Sequence, residues 1–118
     1  PEGYKYPWGN ELDNDKGNFG RKQEFTADVD AYPQGKSPYG AYSMAGNVFE
    51  WVQDWYGLRY FAASLNATNP PGPVSGEYRV IKGGSYGTAD YEVRIAQRFK
   101  GKPHNKGPRL GFRCARDI

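Results

Sequence analysis

Tyr39-Gly-Ala-Tyr-Ser-Met-Ala-Gly-Asn-Val-Phe-Glu-Trp-Val-Gln-Asp-Trp55 mixes large rings with a tight turn and side-chain oxygens. Tyr42, Phe49, Trp51 and Trp55 offer wide apolar surfaces for burial. Gly46-Asn47 calls for a sharp reversal, because Gly accepts positive φ freely and Asn follows it in tolerance. Such a turn aims consecutive carbonyls one way, and Ser43 and Glu50 flank it with further oxygens. Two readings stand on these residues. One is a site for a hard cation such as Ca²⁺, which takes several oxygens and at least one full charge. The other is an aromatic-cored loop in which Glu50 caps backbone N–H groups.

On the N-terminal side, Tyr4, Tyr6 and Trp8 alternate as on one face of an edge strand, where Pro7 is tolerated. Asp13-Asn-Asp15-Lys-Gly17-Asn18 resembles half of a calcium loop, with Glu24 twelfth from Asp13. The loop glycine and the fifth ligand are displaced, so an EF-hand is excluded and a solvated turn is expected. Residues 29–33 read as a short extended segment and 34–38 as a turn.

On the C-terminal side, Leu58, Phe61, Ala62 and Leu65 have helical spacing, which predicts one or two turns within 56–67. Asn66-Ala-Thr68 matches the N-glycosylation pattern, a surface-loop signal. Asn69-Pro-Pro-Gly-Pro73 ends any helix. Three strands are predicted next: 78–82, 93–99 and 110–115, with Gly83-Gly84 kinking the chain after the first. The alternation of Leu110, Phe112 and Cys114 predicts a buried thiol.

The 118 residues suit one domain. Hydrophobic content is 37% while aromatics reach 16%, so rings must carry much of the burial. Sixteen Gly and nine Pro exclude long helices and favour a loop-rich α+β body with short strands. One Cys excludes an intrachain disulfide and a cysteine-based zinc site. One His argues against multi-histidine metal centres and a Ser-His-Asp triad. No apolar run reaches transmembrane length, so no membrane insertion is expected.

Net charge is +3, too mild to demand nucleic acid, but the charge is unevenly placed. Arg94, Arg98, Lys100, Lys102, Lys106, Arg109, Arg113 and Arg116 follow one another between Val93 and Arg116 without an acid. This basic run suits a protein surface or an anionic or glycan ligand. Arg98 and Arg113, on strand-like segments, are expected to pair within the fold; Arg109 and the loop lysines are expected to face solvent.

Five blocks in order, Tyr6-Pro-Trp-Gly9, Pro38 to Trp51, Asp54-Trp55, Arg79 to Tyr86 and Gly111-Phe-Arg-Cys-Ala115, resemble the formylglycine-generating enzyme (sulfatase-modifying factor) family. They match the C-terminal half of that family's domain. The upstream Arg-Leu-Pro-Thr-Glu-type motif is absent from residues 1–118, so the chain reads as a single domain lacking the usual N-terminal half. The resemblance implies the family's variant of the C-type lectin-like fold. It also implies calcium held by Ser43, the Gly46 and Val48 carbonyls and Glu50, and a second calcium beginning at Asn18 and the Phe19 carbonyl. Ser43 stands where the family usually has Asn or Asp, and the loop of the second site is shortened.

The family's enzymes use two cysteines placed just after the Gly-Gly-Ser-Tyr block. Here Gly87 to Arg98 contains no Cys, so no thiolate is present to bind copper or exchange with a substrate thiol. Ser85 matches a family active-site serine that lacks the pair it assists. The resemblance therefore implies a non-catalytic ligand- or protein-binding module. Its expected contact surface is Phe49, Ser85, Tyr86, Thr88, Asp90, Tyr91, Arg94, Arg98, His104, Asn105 and Arg109, and no copper is expected. Two alternatives stand beside it: an enzyme of the family, either a cysteine-poor formylglycine-generating oxidase or an oxidase using another centre, and a structural half-domain that completes another chain, an oligomer or a larger assembly. Calcium and the glycan sequon point to an extracytoplasmic setting.

Overall fold

The computed structural model describes residues 3–116, except the side chains of Phe61 and Ala62. The body is α+β and loop-rich, as composition requires. The sheet among the described residues comprises β1 (Phe49–Trp55), β2 (Arg79–Lys82), β3 (Phe99–Gly101) and β4 (Leu110–Gly111), in the order β3-β2-β1-β4. β1 runs antiparallel to β2 and parallel to β4, and β2 runs antiparallel to β3. One helical turn, α1 (Tyr60–Ala63), and short 3₁₀ turns at Asn14–Lys16, Pro33–Gly35 and Asp90–Glu92 complete the regular structure among the described residues.

Half of the aromatic run is strand, not loop. Phe49, Trp51, Val52 and Trp55 favour the pleated state, and β1 becomes the strand on which β2 and β4 pair. Glu50 sits opposite Lys82 on one side and Gly111 on the other. A bulge separates the Trp51–Ile81 and Trp55–Arg79 pairs. Tyr42, Phe49, Trp51 and Trp55 are half-buried; the most deeply buried residues are Phe19, Val93, Asn18 and Ser85.

The core is small. Tyr6, Phe19, Ala45 and Val93 cluster in it, with Trp8 packed against them, and Val80, Ile81 and Tyr86 are the other buried hydrophobic residues among those described. Trp8 stacks between Tyr6 (centroids 5.3 Å) and Phe19 (6.1 Å). Tyr6 and Trp8 do not belong to an edge strand. The Tyr6 and Gly9 backbones bond each other in a tight turn that folds the rings together, and Tyr4 is left exposed.

Other expected extended segments also break. Residues 93–99 are not a strand: the 3₁₀ turn ends at Glu92, Val93 drops into the core, and pairing with β2 begins only at Phe99. Residues 29–30 form a turn, with Ala31 N–H donating to the Asp28 carbonyl. The predicted strand 110–115 stops at Gly111 because β4 meets only Phe49 and Glu50 of β1. Beyond that point no face remains to bury the alternation, so Phe112 and Cys114 are exposed rather than buried. The helix predicted within 56–67 forms at Tyr60–Ala63; of its apolar side chains, Phe61 and Ala62 lie outside the described residues, and Leu58 and Leu65 are exposed. Asp13 caps the 3₁₀ turn at Asn14–Lys16 by accepting from the Asp15 N–H, as a solvated turn should.

Candidate functional site

The turn at Gly46-Asn47 is the structural pin of the molecule. Asn47 adopts φ +68°, and its backbone N–H donates to the Asn18 carbonyl at 2.8 Å. Its side-chain oxygen accepts from Ala27 N–H (2.8 Å) and Asn18 Nδ2 (3.2 Å), while its carbonyl accepts from Tyr86 N–H (2.9 Å). One asparagine thus ties the 18–27 loop to the 83–86 segment. Gly46 donates to the Gly83 carbonyl at 2.7 Å, and a Cβ at Gly46 would lie 2.4 Å from the Asn18 carbonyl oxygen.

From that pin the Gly83-Gly84 pair, both at positive φ, throws Ser85 and Tyr86 inward. Ser85 Oγ accepts from Gly87 N–H at 3.2 Å and lies 3.4 Å from Thr88 Oγ1, which accepts from Ser85 N–H at 2.9 Å. Ser85 is 1% exposed, so its hydroxyl builds a turn rather than offering a nucleophile to solvent. Tyr86 is buried; its ring meets Phe25 at 5.9 Å and the Arg109 guanidinium at 5.3 Å.

These segments enclose a hollow of about 600 Å³ lined in part by Phe49, Ser85, Thr88, Asp90 and Arg109. The structure therefore brings together five of the residues expected at a contact surface, with Tyr86 behind them. Tyr91 is exposed on the turn beside it. His104 and Asn105 stay in the exposed 102–109 loop, where Asn105 N–H donates to the Lys102 carbonyl. Arg94 lines a different cavity, and Arg98 lies in the field of Lys82. Arg109, expected to face solvent, is exposed yet held against Tyr86 and Gly87. Asn14, Arg21 and Glu92 also line the hollow. Sequence reasoning missed them because nothing local marks them; the 20–21 backbone reaches the hollow by bonding to the Thr88 and Tyr86 carbonyls.

The two oxygen sets expected to hold calcium differ. Glu50 Oε1 accepts from Arg113 Nε at 2.6 Å, and Arg113 Nη2 donates to the Tyr42 and Ser43 carbonyls. Ser43 Oγ donates to the Val29 carbonyl. A fixed guanidinium already neutralises the carboxylate, so this set does not fit a divalent ion. Asn18 does fit one in donor chemistry: its Nδ2 serves the Phe25 carbonyl and Asn47, and its buried Oδ1 has no hydrogen-bond partner. Among the described residues no group of three or more His, Cys, Asp or Glu side chains could hold a metal.

A profile of the sulfatase-modifying factor enzyme 1-like domain matches residues 1–118. The chain belongs to that family. It is similar to the "Serine/threonine-protein kinase pkn1" of Chlamydia pneumoniae, with 42% identity over 97% of this chain and 18% of that protein. It is also similar to the "Formylglycine-generating enzyme" of Mus musculus, with 40% identity over 95% of this chain and 34% of the enzyme. Among solved structures, "Treponema denticola variable protein 1" superposes with a TM-score of 0.71 and 29% identity, over 93% of this chain and 40% of that one. The chain thus spans less than half the length of each. The architecture is the C-type lectin-like fold of the formylglycine-generating enzyme type, as the motif resemblance implied.

Proposed function

We propose that this sulfatase-modifying-factor domain is a non-catalytic binding module whose contact site is the hollow beside Tyr86. The observation that carries this reading is Arg109: an exposed guanidinium held 5.3 Å from a buried tyrosine ring, at a hollow it shares with Arg21, Asp90 and Glu92. A guanidinium stacked on a ring loses little freedom when it takes a carboxylate or sulfate. The neighbouring carboxylates suit hydroxyl or amine groups on the same ligand. An acidic glycan or an acid-bearing protein loop has that chemistry. The chain's one cysteine, Cys114, is exposed in the terminal segment, and the hollow's lining contains no thiol.

The experiment is an array of sulfated and carboxylated oligosaccharides probed with the wild type and Arg109→Ala. Wild-type binding that falls about tenfold or more in the variant, with an unchanged melting point, is the expected result. The same preparation, loaded with copper and given a cysteine-containing sulfatase peptide, should leave the cysteine unconverted. Formylglycine formed above background would replace this reading with the oxidase one.

A structural half-domain is the second reading, and the surface area favours it. A compact monomer of this mass exposes about 6,400 Å², whereas this chain exposes 8486 Å². A partner would cover the difference. A monomer by light scattering at all concentrations would count against it. We also assign any calcium to Asn18 Oδ1 and the Phe19 carbonyl, where the ion would supply the missing partner of a buried oxygen and brace the 18–27 loop.

A further inference from the structure

A second cavity, about 910 Å³ and sharing no lining residue with the first, lies beside the middle of β1. Tyr4, Pro7, Met44, Trp51, Val93 and Ile95 give it largely apolar walls. Its charged lining is Lys82, Arg94 and Arg113 against the single acid Glu50. Glu50 is taken by Arg113, and Arg94 Nη2 donates to Gln97 Oε1 at 2.9 Å. Lys82 stands apart. Its side chain has no hydrogen-bond or ion-pair partner among the described residues, although Glu50 is opposite it in register. Burial, with Arg98 adding like-charge repulsion, holds its ammonium below the usual lysine range.

An ammonium on an apolar wall without an acceptor is costly until an anion meets it. The cavity falls within the size range of small-molecule sites. We propose that it binds an apolar molecule carrying one carboxylate or sulfonate, the anion meeting Lys82 and the body lying against Trp51, Met44 and Ile95. A neutral apolar molecule would leave Lys82 unpaired. A sugar would leave its hydroxyls against apolar walls, and a cation would face three like charges. The site is independent of Arg109 and of the proposed glycan or protein contact.

The test titrates the 118-residue chain with decanoate, with decanol, and with anilinonaphthalene sulfonate as a fluorescent reporter. Saturable one-to-one binding, decanoate displacing the dye and decanol displacing it about tenfold less well, is the expected result. Lys82→Met keeps the wall apolar and should erase the preference for decanoate, while Arg109→Ala should leave it intact. Equal affinity for decanoate and decanol, an unchanged preference in Lys82→Met, or dye binding without saturation would each overturn the assignment.

Discussion

Glu50 shows how one residue's role depends on what meets it. Its carboxylate is largely shielded and Arg113 is its cation, at 2.6 Å. Arg113→Ala should cost about 1–3 kcal/mol, because a desolvated charge loses its partner. Urea unfolding of Arg113→Ala, Glu50→Gln and the double variant checks this: the double should cost clearly less than the sum of the singles, and strict additivity would mean that the two groups do not interact. Lys82 gives a pH signature with a definite sign. Its folded-state pKa lies below the 10.5 of an ordinary lysine. Below the folded value both states are protonated and the fold carries the full penalty. As pH climbs from there toward 10.5 the folded state sheds its proton first, and stability is regained. Lys82→Met should therefore exceed the wild type in melting temperature at neutral pH, with a margin that narrows as pH approaches 10. Burial and the Arg98 charge set the window; Glu50, Arg94 and Arg113, the other charged groups at the cavity, are present in both proteins. A margin constant with pH would show that Lys82 is not desolvated.

At the scale of elements, the pin is backbone geometry rather than helix or sheet. Gly46 at φ +81° packs so close to Asn18 that no side chain fits. Gly46→Ala should destabilise by more than the roughly 1 kcal/mol of a left-handed conformation alone, because the added methyl meets backbone. Chemical denaturation measures it, and a loss below about 0.5 kcal/mol would mean that the turn can shift. The turn and β2 were legible in the sequence because Gly-Asn, Gly-Gly and Arg-Val-Ile-Lys carry local signals. The strands expected at 93–99 and 110–115 form only at Phe99 and at Leu110–Gly111, because period-two alternation also arises in unpaired chain. Whether Val93 enters a core or a sheet depends on Gly84 leaving room for it: a Cβ there would stand 3.1 Å from Val93 Cγ1. Cys114 was misread for the same reason, since its alternation had no partner strand to bury it.

For the whole molecule, four short strands and seven buried hydrophobic side chains among the described residues leave stability resting on the loops. An ion that braces the 18–27 loop should therefore raise the global melting point by selective native-state binding. Calcium at about 1 mM, a weak-site concentration, should raise it in the wild type and equally in Glu50→Gln. Asn18→Asp should enlarge the rise. A rise lost in Glu50→Gln would move the ion to the Ser43–Glu50 set, and no rise in any variant would remove calcium from this domain.

Sequence alone determined the family, the loop-rich α+β class, the Gly46-Asn47 reversal and the lack of a cysteine pair, because each is written in residue type and local order. Only the tertiary structure decided that Arg113 takes the charge of Glu50, that Arg109 lies over Tyr86, and that Lys82 stands at a cavity wall with no partner among the described residues. The first two join residues 63 and 23 positions apart, and no local preference specifies which distant groups the packed chain will bring together or keep apart.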